Sequence, residues 1–177
     1  IMAIDPYPSN RFPKGTYCTD MMNRANKGVN YKKPVYSILQ TFTYGGYFPT
    51  ANDIRHMAYE SFLLGAKGIG YFCFSEAYGF QTASTKVDLN ETDVWPELVT
   101  AHAEEYPDAF DHFSRGNGPV FCDGINDNII WHGWIKDGKL RLLVLNRTEV
   151  TINADIPLVS NNKRIEIGGY QAEVIAG

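Results

Sequence analysis

Two carboxylates in this 177-residue sequence stand directly behind apolar runs: Asp5 follows Ile1–Ile4, and Glu76 follows the run from Gly68 to Phe74 by one further residue. A carboxyl group held at the end of a buried segment can give or take a proton, or attack an electrophilic carbon. Each also has a plainer use, Asp5 in capping the turn that begins at Asp5-Pro6, and Glu76 as a solvated loop residue. Gln40 closes a third run, which starts at Val35; its amide can bond a hydroxyl but is no nucleophile. Tyr7, Tyr44, Tyr47, Tyr71 and Tyr78 lie around the same three places. With eleven Tyr and three Trp, aromatic residues make up 14% of the chain, and rings with polar tips suit sugar-lined clefts as well as ordinary cores.

The remaining reactive residue types form no chemical motif. Cys18, Cys73 and Cys122 match no zinc or redox spacing and read as buried small hydrophobes. Asn90-Glu91-Thr92 and Asn146-Arg147-Thr148 fit the glycosylation acceptor pattern, which arises often by chance. His56, beside Arg55 and off the apolar face of its helix, reads as a helix-surface residue, and His102 and His112 as packing or surface residues. In Trp131-His132-Gly133-Trp134, strand alternation sets His132 and Trp134 on one side and Trp131 on the other, with a buried Trp expected on each face. No Ser/His/Asp arrangement, Walker loop or H-E-x-x-H occurs, and Gly68-Ile69-Gly70 lacks the third glycine of a dinucleotide fingerprint. No metal and no cofactor are expected.

Charge and length exclude more. Sixteen Lys plus Arg against twenty Asp plus Glu give a net charge of -4, and no basic run extends beyond Lys32-Lys33, so a nucleic-acid partner is not expected. No stretch reaches the roughly 20 apolar residues of a membrane helix, and the first residues carry no basic and apolar targeting pattern. At about 250 residues, a complete eight-stranded α/β barrel does not fit into 177.

The elements that must position these residues divide the chain into an α/β part, residues 1–116, and an antiparallel β part, residues 117–177. Ile1–Ile4 reads as a strand stopped by Pro6 and Pro8. A helix of moderate character spans about Tyr17 to Asn26, and Val35 to Phe42 reads as a buried strand. Thr50 and Asp53 form a capping box that opens a helix at Ala51, its apolar face carried by Ile54, Met57, Ala58 and Phe62 and its stop by Gly65. Gly68 to Phe74 then reads as a parallel strand. Residues 75–91 are loop-like. Trp95 to Phe113 marks a second amphipathic helix, bent near Pro107, which ends at Gly116 to Pro119. Short strands follow at Val120–Cys122, Ile129–Lys136, Leu140–Asn146, Thr151–Ile156, Arg164–Ile167 and Tyr170–Ile175, with a tight primed turn at Asp137-Gly138. This half reads as a small antiparallel β-sandwich.

The order Asp5-Pro6-Tyr7-Pro8, Lys33-Pro34-Val35 through Phe42, Pro49-Thr50 with Arg55-His56-Met57-Ala58-Tyr59, and Gly65-Ala66-Lys67-Gly68 through Phe72 resembles the last third of a glycoside hydrolase (β/α)8 TIM barrel. The resemblance implies barrel strands six to eight followed by the closing C-terminal β-sandwich. Such barrels gather their active sites at the C-terminal ends of the strands. It therefore implies Asp5 and Glu76 as catalytic candidates, with Gln40, Tyr44, Tyr7, Tyr71 and Tyr78 as substrate-binding residues. Retaining barrel hydrolases pair an acid/base after strand four with a nucleophile at the end of strand seven, about 5 Å apart. Strand four has no counterpart here, and Gln40 stands where the nucleophile would be, so the chain alone is expected to lack the complete catalytic pair. The implied partners are a carbohydrate substrate and a cover for the open sheet edges, either the upstream part of the same barrel or a second copy. An extracytoplasmic or secreted setting is implied by the resemblance alone. The expected function is the C-terminal portion of a carbohydrate-active enzyme, a glycoside hydrolase; the alternative is a non-catalytic carbohydrate-binding or structural module.

Overall fold

The computed structural model of the chain describes residues 1–8, 14–44, 46–75, 88–115, 120–125, 128–157, 162–169 and 172–176. Its first part repeats strand and helix: β1 (Met2–Ile4), α1 (Lys14–Gly28), β2 (Val35–Gln40), α2 (Ala51–Leu63) and β3 (Ile69–Phe72). The strands form one parallel sheet in the order β1-β2-β3, with Ala3 beside Tyr36, Ile38 beside Gly70 and Gln40 beside Phe72. Alternation decides what each face does: Val35, Ser37 and Leu39 are buried while Tyr36 between them is exposed. Ile4 and Val35 pack with Cys18, Met22 and Ala25 of α1, so that side of the sheet is the helix side. Among the described residues this sheet has three strands and does not close into a barrel.

Both helix ends follow local chemistry. Asp53 N–H donates to Thr50 Oγ1 at 3.2 Å and Thr50 N–H donates to Asp53 Oδ2 at 2.8 Å, which is the expected capping box. At the other end of α2, Gly65 takes φ +86° and Ala66 N–H reaches back to Ser61 O at 2.9 Å, a Schellman stop that a side chain at Gly65 would strain.

The expected single helix over Trp95–Phe113 is three pieces: α3 (Val94–Thr100), one wide π turn at Ala101–Glu105, and α4 (Tyr106–Arg115). The irregularity precedes Pro107 rather than bending at it. Proline has no N–H for Ala103 O and its ring crowds that carbonyl, and the chain widens there so that Tyr106 N–H bonds Ala101 O. The wide turn also directs Glu105 onto α2, where its carboxylate meets Arg55 Nη2 at 2.6 Å and the Tyr59 hydroxyl at 3.2 Å.

The last part is antiparallel. β4 (Val120–Ile125), β5 (Ile129–Lys136), β6 (Lys139–Asn146) and β9 (Ala172–Ala176) form a four-stranded sheet in the order β4-β5-β6-β9, and β7 (Ile152–Pro157) pairs with β8 (Asn162–Ile167) as a separate hairpin. Asp137 and Gly138 take φ of 51° and 74°, the primed turn expected between β5 and β6. The four-stranded sheet is covered twice. Ile130, Trp134, Leu143 and Leu145 join the core formed with α2, α3 and α4, while Ile129, Leu142 and Val144 pack against Ile156, Ile165 and Ile167 of the hairpin. Trp134 is fully buried and shares its face with His132, as alternation requires. Trp131 lies across Gly124, where a Cβ would stand 2.0 Å from the indole, so only glycine fits. Asn146 Nδ2 donates to the carbonyls of Val150, Ile167 and Gly168 at 2.7–3.0 Å, so this potential glycosylation acceptor is a buried strut. Among the described residues no helix is long and apolar enough to cross a membrane.

Helix α2 lies in the middle of all this and touches α1, α3, α4, β2, β6 and β9. Almost its whole circumference is buried, which corrects the expectation of an exposed face: His56 is 3% accessible and Glu60 fully buried. β6 covers the flank that one apolar stripe would leave to solvent. Burial lowers the His56 pKa to about 4, against the hydrogen bond it shares with the Asn146 backbone. Burial raises the Glu60 pKa to about 8, against the opposing pull of the Thr19 hydroxyl and the Arg147 charge.

These two groups shape the pH dependence of stability. Between 4.5, the ordinary Glu value, and about 8, the unfolded chain has lost the Glu60 proton while the folded chain keeps it, so rising pH disfavours the fold. Between 6.5, the ordinary His value, and about 4, the unfolded chain binds the His56 proton first, so falling pH disfavours the fold. The slopes cancel from 4.5 to 6.5, and above 6.5 the Glu60 slope stands alone, a loss of about 2 kcal/mol by pH 8. Urea unfolding at a series of pH values should show that plateau and alkaline fall, and Glu60→Gln should flatten the fall; an unaltered fall in the variant would assign it to another group.

Candidate functional site

The C-terminal ends of the three parallel strands carry a cluster of rings on the side away from α1 and α2. Tyr7 meets Phe42 edge-on at 5.0 Å and stacks with Phe72 at 6.3 Å; Phe42 in turn meets Phe72 at 5.5 Å and Tyr44 at 6.2 Å. The strand register builds this group. Gln40 is paired with Phe72, and Phe42 follows Gln40 by two residues, so all three side chains emerge on one face. Thr41 extends the pairing past the strand end, its N–H bonding Phe72 O at 2.8 Å and its hydroxyl bonding Cys73 O at 3.2 Å.

Gln40 is fully buried at the base of these rings. Its Nε2 donates to Phe42 O at 3.0 Å, and among the described residues its Oε1 has no hydrogen-bond partner. A buried acceptor left without a donor is costly, on the order of 1–3 kcal/mol. Phe72 and Tyr44 are the open surfaces of the cluster, 37% and 41% accessible. Tyr44 is held there by a short turn in which it exchanges both backbone hydrogen bonds with Tyr47, at 3.0 and 3.1 Å. Tyr47 is itself anchored through its hydroxyl to Asp53, the first-turn carboxylate of the α2 capping box. The start of α2 thus sets the position of Tyr44.

Asp5 stands exposed at the end of β1. Burial first, then the charges of Asp5 and Cys73, push the Tyr7 phenol above its ordinary pKa, so it remains a hydrogen-bond donor at neutral and moderately alkaline pH. Tyr7, Gln40 and Tyr44 therefore come together, with Asp5 next to Tyr7. Tyr71 does not join them. It follows Gly70 and precedes Phe72, so alternation turns it to the helix side, where its hydroxyl meets His102 Nε2 at 2.6 Å and its ring packs in the core around Tyr106. Burial disfavours imidazolium at His102. Glu76 and Tyr78 lie outside the described residues. Phe42 and Phe72 were not singled out in the sequence; the signal that would have found them is the shared parity of Gln40 and Phe42, together with the strand pairing that brings in Phe72.

No protein-family model matches the chain, and no curated protein matches it in sequence. Solved structures do. AmyP in complex with maltose is similar over 92% of this chain and 44% of its own, with a TM-score of 0.57 and 8% identity. Eubacterium rectale Amy13B is similar over 92% of this chain and 43% of its own, with a TM-score of 0.51 and 11% identity. The γ-CGTase of alkalophilic Bacillus clarkii follows at a TM-score of 0.49 and 13% identity, over 95% of this chain and 30% of its own. At these identities the likeness to the first two is one of fold, and the chain spans less than half the length of either.

The ring cluster separates support from presentation. Phe42 is 4% accessible and touches three other rings, so Phe42→Ala should cost about 3–5 kcal/mol in denaturant unfolding. Tyr44→Ala, at an open surface, should cost under about 1 kcal/mol. Equal costs would mean that the cluster packs differently from this arrangement.

Proposed function

We propose that this chain is the C-terminal portion of a carbohydrate-active enzyme, a glycoside hydrolase that cleaves O-glycosidic bonds in an oligo- or polysaccharide, and that it supplies part of the wall of the sugar cleft. In this reading β1, β2 and β3 are the last three strands of a (β/α)8 barrel, β4 to β9 form a closing β-sandwich, and the upstream barrel covers the open strand edges. The observation that carries it is the group of rings at the C-terminal ends of parallel strands, with Phe72 and Tyr44 exposed around a buried Phe42. That chemistry fits a sugar: the apolar face of a pyranose packs on the exposed Phe72 and Tyr44, and the Tyr7 phenol donates to a neighbouring oxygen, while the buried Gln40 supports the rings from beneath. The maltose held by AmyP supports a glucose-based ligand as the first to try.

Asp5 and Glu76 take the catalytic roles in this proposal, one carboxyl protonating the leaving oxygen and the other stabilising or attacking the anomeric carbon. Tyr78 and Tyr71 were expected to bind substrate as well. Tyr78 keeps that role here, whereas Tyr71 acts from behind, by holding β3 against the helices. A second reading, a carbohydrate-binding module without turnover, is favoured by one observation, the amide of Gln40 at the end of β2 in place of a carboxylate.

Turnover of maltooligosaccharides by the full-length protein separates the two. Asp5→Asn and Glu76→Gln should each lower it by about a hundredfold or more if both carboxyls act as proposed. Binding with no turnover in the unsubstituted protein would select the module, and neither binding nor turnover on any maltose-series or other glycan tried would remove both readings.

A further inference from the structure

A second cluster of titratable groups lies where α4 meets the four-stranded sheet. His112 reaches from α4 and His132 from β5, and their Nε2 atoms stand 3.2 Å apart. The two residues are twenty positions apart in sequence and belong to different layers, so the tertiary fold alone brings them together. Their geometry is fixed from outside: the His112 ring stacks on Trp134 at 5.1 Å with 19° between planes, and Trp134 is fully buried. His112 is 8% accessible and His132 half-buried, which leaves the pair reachable from one side.

We propose that this pair binds a divalent transition-metal ion, with zinc as the representative. A tetrahedral zinc ion with Zn–N bonds of about 2.0–2.1 Å sets two ligand nitrogens about 3.3 Å apart, so the imidazoles already stand at the required separation. In the metal-free pair one ring donates its Nε2 proton to the other. On binding, that proton resides on Nδ1 of the same ring, both imidazoles stay neutral, and each offers one Nε2 lone pair to the metal. No group is oxidised or reduced. Among the described residues no third His, Cys, Asp or Glu joins the pair in a three-residue set. Imidazole donors favour zinc, copper or nickel over magnesium or calcium. One turn before His112, Asp108 is held by Arg141 at 3.9 Å. The bound ion ties α4 to β5 and stabilises the fold by mass action.

Isothermal titration of the chelator-treated protein with zinc chloride tests this, with magnesium chloride run in parallel. His112 is buried against Trp134 and its replacement endangers the fold, so the informative variant is His132→Gln, with His102→Gln as a control at a histidine elsewhere. The expected result is one zinc per chain, a rise in thermal midpoint with zinc but not with magnesium, an affinity at least tenfold weaker in His132→Gln, and no comparable loss in His102→Gln. Absence of zinc binding, binding unchanged in His132→Gln, or equal loss in both variants would overturn the assignment.

Discussion

The burial of α2 on nearly every side is the constraint to which the other parts answer. A helix with one apolar stripe is satisfied by one sheet, but this helix meets β2, α1, α3, α4, β6 and β9, so its polar residues also had to find partners inside the protein. Glu60 takes the Thr19 hydroxyl of α1, His56 takes the backbone at Asn146, and Arg55 takes Glu105 from the wide turn before α4. Each of these contacts joins α2 to a different neighbour. The apolar groups of the same helix, with Trp134, Leu143 and Leu145 behind them, form one continuous core between the parallel sheet and the antiparallel one.

The candidate site inherits its geometry from that arrangement. Asp53 completes the capping box with Thr50 at the start of α2 and at the same time accepts the Tyr47 hydroxyl, and Tyr47 in turn exchanges backbone hydrogen bonds with Tyr44. The parallel register sets Gln40 beside Phe72, and the Thr41 contacts carry the pairing to Cys73. The result is a group of rings in which Phe42, with Gln40 beneath it, is a buried support, and whose outer members, Phe72 and Tyr44, are exposed. Among the described residues the antiparallel half contributes none to this group. In that half Asn146 ties the end of β6 to the segments at Val150 and Gly168, and the hairpin covers the outer face of the sheet.

Much of the fold is legible along the chain because its signals are local. The capping box at Thr50 and Asp53, the stop at Gly65, the primed turn at Asp137-Gly138 and the alternation that pairs His132 with Trp134 all depend on residues within a few positions of one another. The site was legible in part for the same reason: Asp5, Tyr7 and Gln40 end or follow apolar runs, and their positions at strand ends follow from that. Tyr71 shows where local reading stops. Its neighbours Gly70 and Phe72 share the site's face, and a shift of one residue along a strand exchanges the two faces.

What the sequence by itself determined, then, is the set of elements, their order and the chemistry available at their ends. Hydrophobic period, caps and turn residues act through neighbouring backbone groups, and those are written in succession. The tertiary structure alone decided that a helix with one evident apolar face would be enclosed by a second sheet, that His56 would be buried and neutral, that Phe42 and Phe72 would close over Gln40, and that His112 and His132 would meet. Each of these depends on contacts between segments far apart in the chain, and burial and long-range pairing leave no mark in the residues that flank them.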